Sequence, residues 1–153
     1  MSEVNDAITV VDVLNDVDLI GIGQIELGAT RGLGGPASEQ PEAEPSYRLT
    51  VTGRDDDRAF RIGLRADIKV GTGSITSEIE AEYEFRELCF SAVSEQSRID
   101  FANDVAIMAI LPFTRQSIAD ITVRVFGAPL LMPIVKRGEL SFSVPNPVEA
   151  STS

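Results

Sequence analysis

The chain has no histidine and no tryptophan, and its only cysteine is Cys89. Without histidine it lacks the commonest general base and the commonest side-chain metal ligand. A lone cysteine cannot close an internal disulfide, which fits a reducing compartment. Cations are scarce: 13 Lys and Arg stand against 24 Asp and Glu, a net charge of −11. That balance opposes adhesion to phosphate backbones and to anionic membrane surfaces. It favours solubility and attraction to basic partners, cationic unfolded chains among them. No apolar run approaches the ~20 residues of a spanning helix. The opening MSEVNDAITVV shows neither the basic n-region nor the long apolar h-region of a secretory signal, so a cytoplasmic location is expected. At 153 residues one domain is expected. A chain of that size buries roughly 70% of its unfolded surface and needs no metal or disulfide to fold.

What is present is first of all a meander of strands. From Asp57 to Val70 the even positions Phe60, Ile62, Leu64, Ala66, Ile68 and Val70 are apolar, while Arg61, Arg65, Asp67 and Lys69 take odd ones. From Ser74 to Leu88, Ile75, Ile79, Ala81, Tyr83 and Phe85 share one face, and Glu78, Glu80, Glu82 and Glu84 the other. Both apolar sets must face one side, so the joining loop has an even length. A two-residue Gly71-Thr72 turn, of type II′, places Arg65 opposite Glu78 and Arg61 opposite Glu82. A four-residue loop places them opposite Glu80 and Glu84 instead. Tyr47 to Thr52 alternates too and turns back through Gly53 to Asp57. Val17 to Leu27 is strand-like, but Leu19, Ile20, Ile22, Ile25 and Leu27 fall on both faces, as in a strand covered twice or lying at an interface. The Gly-, Pro- and Glu-rich stretch over 28–46 reads as a long crossover loop. Residues 143–153 read as a disordered tail beyond a single domain over 1–142.

The second half is helical. Starting near Ser97 or Asp100, Phe101, Val105, Met108 and Pro112 follow helical spacing, and Phe113, Ser117, Ile118, Ile121 and Val125 continue the stripe to a C-cap at Gly127. Pro112 interrupts the hydrogen-bond ladder, so a kink or restart is expected there. Ala106, Ile107, Ala109, Ile110 and Leu111 make the helix apolar over more than one face. Such a helix is covered on two sides. With one sheet available, the second cover is most simply another subunit, and Phe101, Val105, Met108, Phe113, Ile118 and Ile121 are the candidate oligomer interface. After the helix, Leu130-Leu131-Met132-Pro133-Ile134-Val135 cannot be helical between Pro129 and Pro133. It presents apolar side chains on a stiffened loop, fit either to plug the core or to capture apolar segments of another chain.

This element order, with Leu111-Pro112-Phe113-Thr114-Arg115 on the helix, a Gly127-Ala128-Pro129 turn and the Pro-containing apolar stretch, resembles the SecB export-chaperone family. The resemblance runs over about residues 10 to 142 by element order, with motif likeness confined to about 105–135. It implies an α+β fold in which a four-stranded antiparallel sheet packs with a long kinked helix, assembled as a dimer of dimers. It implies a chaperone that holds non-native polypeptides in apolar grooves without ATP or cofactor, serving export or a dedicated client such as an antitoxin. Carried over by position, the client groove uses the crossover loop, Tyr47, Leu49 and Val51, and Phe126, Leu130, Leu131, Met132 and Ile134. Asp18, Glu78 and Glu80 match an acidic face that docks a translocase motor. The chain departs from the family after the loop, where Gly138 and Pro145 leave room for only a short second helix or none.

The same residues admit other readings. The Glu78 to Glu84 ladder also reads as a solvated face balanced by Arg61, Arg65 and Lys69. Gly32-Leu33-Gly34-Gly35 has no following Lys-Ser/Thr, so it is not a phosphate loop. Asp55-Asp56-Asp57 is a turn rather than a calcium loop. Asp100, Asp104 and Asp120 have surface or capping roles, and Cys89 has no histidine to activate it, so no enzyme and no metal site is expected. Two alternative functions remain: a binder of a small apolar ligand, with an internal pocket, and an acidic adaptor for one basic partner.

Overall fold

The structure, a computed structural model, describes residues 7–32, 44–71, 73–133, 135–136 and 138–144. A short helix α1 (Val10–Asp16) opens it. Thr9 caps this helix: its hydroxyl accepts from the Asp12 N–H while the Asp12 carboxylate accepts from the Thr9 N–H, a reciprocal capping box. Four strands follow: β1 (Val17–Thr30), β2 (Glu44–Gly53), β3 (Ala59–Val70) and β4 (Gly73–Phe85). They form one antiparallel sheet in the order β1-β4-β3-β2. The connection from β1 to β2 therefore crosses from one edge of the sheet to the other. It is shorter than the sequence pattern indicates, since strands extend to Thr30 and begin again at Glu44. Most of it, 33–43, and the tail from 145 lie outside the described residues.

The alternation of β3 and β4 sets the register. Val70 pairs with Gly73 across Gly71-Thr72, so Arg65 faces Glu78 and Arg61 faces Glu82, as the two-residue turn requires. Gly71 sits at φ 59°, a conformation that glycine adopts without cost. Even positions of β3 and odd positions of β4 are buried, and the opposite set forms the polar outer face. On β1 the alternation is broken by two irregularities, between Leu19 and Gly21 and between Gln24 and Glu26. Ile20 and Ile25 are the extra residues. A bulge of this kind offsets the period by one, which explains why apolar residues fall on both faces in the sequence.

The helical layer covers the apolar face. After a 3-10 turn at Phe90–Ala92, α2 (Glu95–Phe101) starts at Ser94, whose hydroxyl accepts from the Ser97 N–H at 3.2 Å. A wide turn of π geometry, Ala102–Ala106, joins it to α3 (Ile107–Phe126). The irregularity expected at Pro112 lies at that wide turn instead. Pro112 is exposed inside a continuous α3. Gly127 at φ 85° ends α3 in the left-handed cap expected of it.

The main core is built around Phe60. Its ring lies 5.1–5.8 Å from those of Phe85, Tyr83, Phe101 and Phe90, and Phe101 meets Tyr83 edge-on at 5.0 Å. Ile62, Leu64, Ile79, Ile107 and Ile110 complete it. A second cluster near the β3–β4 turn joins Ala66, Ile68, Ile75, Ile118 and Met132. No helix among the described residues is long and apolar enough to cross a membrane.

Candidate functional site

Among the described residues, two apolar regions remain uncovered once this core is complete. The first is the β1 edge. β1 has no strand on its outer side among the described residues, and Leu19, Ile20, Ile25 and Leu27 are about half exposed, Ile25 at 56%. Val11 and Leu14 of α1 and Phe113 and Val123 of α3 are exposed as well. A shallow groove of about 180 Å³ runs between β1 and α3, lined by Ile22, Gly23, Gln24, Ile79, Phe113 and Gln116 among others. Its floor is polar at one spot: Gln24 donates to Ser77 Oγ at 3.1 Å, and Ser77 meets Ser117 at 3.0 Å. A long edge strand with apolar side chains and open backbone groups is a template for pairing with another chain.

The second region follows α3. Residues 128–133 adopt no regular structure. The Leu130 N–H donates to Thr122 Oγ1 at 2.7 Å, and that hydroxyl donates to the Ile118 carbonyl at 2.7 Å. This fixes the loop against α3. Met132 is 7% exposed and plugs the second cluster, against which Phe126, Leu130 and Tyr47 also pack. Leu131 points the other way and is 77% exposed, the most exposed large apolar side chain described. Leu49 and Val51 of β2 are half-buried against the main core, as are Val135, Leu140 and Phe142. Burial pushes the Tyr47 phenol above its ordinary pKa. Of the residues assigned to a client groove, Tyr47, Phe126, Leu130 and Met132 are thus gathered at one cluster, Leu131 stands outside it, and Ile134 lies outside the described residues. The described residues after Phe126 contain no helix.

The six residues assigned to an oligomer interface fall into three groups. Phe101 and Ile118 are wholly inside the chain's own core. Val105, Met108 and Ile121 are half-buried on it, and Phe113, 48% exposed, faces outward. Helical spacing identifies an apolar stripe without identifying its cover. The outward residues that spacing passed over, Val11, Leu14 and Val123, carry no distinguishing local signal, although Thr9 and Asp12 stand at the spacing that marks a helix start.

The acidic face is threaded by guanidinium groups. Arg65 reaches Glu26 at 2.9 Å, Asp67 at 3.1 Å and Glu78 at 3.2 Å. Arg61 reaches Glu82 at 2.7 Å and Glu80 at 3.8 Å, and Arg54 reaches Glu84 at 3.2 Å. Asp18, on the same face, accepts from Arg86 Nε at 3.0 Å, which holds its carboxyl below the usual range. Glu78 and Glu80 are therefore half of a charge ladder rather than isolated acids. Each exposed pair contributes little, about 0–1 kcal/mol.

No family model and no curated protein matches the chain. Among solved structures it is similar to the SecB-like chaperone Rv1957 of Mycobacterium tuberculosis, solved in complex with a ChAD peptide from the Rv1956 HigA1 antitoxin. The two are 14% identical and superpose with a TM-score of 0.70 over 81% of this chain and 94% of that one. The fold is SecB-like. A second structure, a protein of unknown function from Streptococcus agalactiae, is 14% identical over 78% of this chain and 98% of its own, with a TM-score of 0.39. That value is too low to support an argument. The open four-stranded antiparallel sheet with one long helix matches that fold.

Proposed function

We propose that this chain is a chaperone that binds non-native polypeptide segments without ATP, catalysing no reaction and using no cofactor. The observation that supports this reading is the combination of a SecB-like fold with apolar side chains left outside a finished core, Leu131 above all. Clients lie extended, with main-chain contacts supplying affinity and alternate side chains entering apolar hollows. Leu131 and the uncovered parts of the half-buried Tyr47, Phe126 and Leu130 supply the client surface. A dedicated client fits this surface as well as an exported preprotein does. The neighbour's antitoxin peptide favours the former, with an antitoxin-like segment as client.

Self-association is part of the proposal. β1, α1 and the outward side of α3 form a face that a second copy covers, giving dimers and then a dimer of dimers in the cytoplasm. An acidic outer sheet carrying Asp18, Glu78 and Glu80 remains available to a basic partner such as a translocase motor. The β1–α3 groove gives the small-ligand alternative no support, since at about 180 Å³ it falls below the ~300–1,000 Å³ of ligand pockets. Light scattering of a chemically unfolded client diluted into buffer tests the reading. Stoichiometric amounts of the chain should delay aggregation with no nucleotide present. Unchanged aggregation of several clients at excess chain would refute it.

A further inference from the structure

The π-shaped turn between α2 and α3 carries a side chain that grips main chain. Asn103 Nδ2 donates to the Phe142 carbonyl at 2.8 Å, and the Phe142 N–H donates to Asn103 Oδ1 at 2.8 Å. One amide thereby satisfies both backbone groups of a single residue. The N–H and C=O of one residue point to the same side only in extended chain, which is how paired strands exchange bonds. Asn103 plays the part of the neighbouring strand. The contact reads backbone shape and not side-chain identity, so any residue except proline can occupy it.

The segment held there has the form of a bound peptide. Gly138 and Glu139 make a turn, Gly138 at φ 90°, Leu140 bends, and Ser141 to Val144 then run without turn, helix or strand. Leu140, Phe142 and Val144 are half-buried, while Glu139, Ser141 and Ser143 are exposed. That is the alternation of an extended chain lying on an apolar surface. Leu140 and Phe142 pack against the main core. Among the described residues, its only backbone-to-backbone hydrogen bond outside regular elements is local, from the Glu139 N–H to the Lys136 carbonyl at 2.9 Å. Among the described residues it is tied to the helical layer by Asn103 and by side-chain packing alone. The wide turn is made by the Ile107 N–H bonding back to the Ala102 carbonyl, five residues earlier. Such turns are rare and concentrate at functional sites.

We propose that Asn103 is the main-chain-reading residue of a binding site for extended apolar polypeptide, and that the chain's own Gly138–Val144 segment occupies this site until a client displaces it. This rests on the client-binding reading above. A tethered segment at an effective concentration on the order of 1 mM, with an intrinsic dissociation constant of about 0.1 mM, leaves the site open about a tenth of the time and so weakens an incoming peptide about tenfold.

The test uses the full chain and a fluorescein-labelled peptide with the sequence of residues 138–144. Wild type should bind this probe weakly. Phe142→Ser should bind it about tenfold tighter, and adding Asn103→Ala to Phe142→Ser should cancel that gain. Equal affinity of wild type and Phe142→Ser, or no effect of Asn103→Ala in that background, would overturn the proposal. Hydrogen exchange on wild type covers the case in which Phe142→Ser does not fold. Saturating probe should speed exchange of the Phe142 amide, and an unchanged rate with probe bound would overturn the proposal. A permanently unfolded, carboxymethylated polypeptide separates the two readings. If wild type binds it but the variants leave probe affinity unmoved, the self-occupied site falls and the chaperone reading stands. If no chain binds it while the variants shift the probe as stated, the reverse holds.

Discussion

Under the proposed self-association through β1, replacing Ile25 by lysine should leave the chain monomeric without unfolding it. Ile25 is the extra residue of the second β1 irregularity and is 56% exposed in the isolated chain. Completing the burial of a half-exposed isoleucine in an interface is worth roughly half of the 1.5–3 kcal/mol of full burial, about 1 kcal/mol. A two-fold interface uses the same patch twice, so the loss is about 2 kcal/mol. Two ammonium groups brought to one edge add desolvation and repulsion, raising the total past about 3 kcal/mol, or ~100-fold in the dissociation constant. Lysine on an edge strand is also the residue by which natural sheets block pairing. Subunit stability should change by no more than about 0.5 kcal/mol, because the site is at the surface of the monomer. Sedimentation velocity across a concentration series reads the first effect, and thermal melting the second. A mass distribution identical to that of wild type would refute the assignment of β1 to the interface, as would a wild-type chain that is monomeric throughout.

Three further outcomes are expected. Leu131→Asp should weaken binding of an unfolded polypeptide by about tenfold with little change in melting temperature, since Leu131 contributes nothing to the core; titration with a labelled client and calorimetry check both. Tyr83→Phe should hold or raise stability, by up to about 1 kcal/mol, because the Tyr83 hydroxyl is buried without a hydrogen-bond partner. Burial also pushes the Tyr83 phenol up to about 12, so the stability tied to its neutral form is present below the unfolded value near 10 and lost as pH rises through 12. Alkaline melting curves of the two chains should diverge over that interval. At the acid end, Asp18, Asp56, Asp57 and Asp67 are held below their usual value, chiefly by Arg86, Arg54, Ser91 and Thr76 respectively. Their contribution is present above the unfolded value of 3.8 and lost as pH falls through the lower folded values. Melting temperature followed from pH 6 downward should therefore fall most steeply below about pH 4.

The parts of this fold that sequence reading recovers are those where a short-range period meets a two-sided environment. β3 and β4 are buried on one face and wet on the other, so Phe60 to Val70 and Ile75 to Phe85 alternate, and the Gly71-Thr72 turn then determines which arginine meets which glutamate. β1 obscured its own faces because Ile20 and Ile25 shift the period mid-strand. α1 is only seven residues long, too short to show a helical stripe, although Thr9 and Asp12 mark its start. The wide turn at Ala102–Ala106 has no local signature, whereas Pro112 has a strong one and yet is tolerated on the exposed side of α3. What covers an apolar stripe is also not a local property. Phe101 and Ile118 serve the chain's own core while Phe113 faces away from it, and all three stand in the same helical pattern. Asn103 was invisible for a related reason: its partner Phe142 lies 39 residues further along the chain.

The most direct measurement is equilibrium binding of a labelled, permanently unfolded polypeptide, followed by fluorescence anisotropy in buffer without nucleotide. A chain that holds non-native segments should give saturable binding, unchanged when ATP is added and clearly weakened by Leu131→Asp. Anisotropy that stays flat up to the solubility limit of the chain, or binding that Leu131→Asp leaves untouched, would contradict the account.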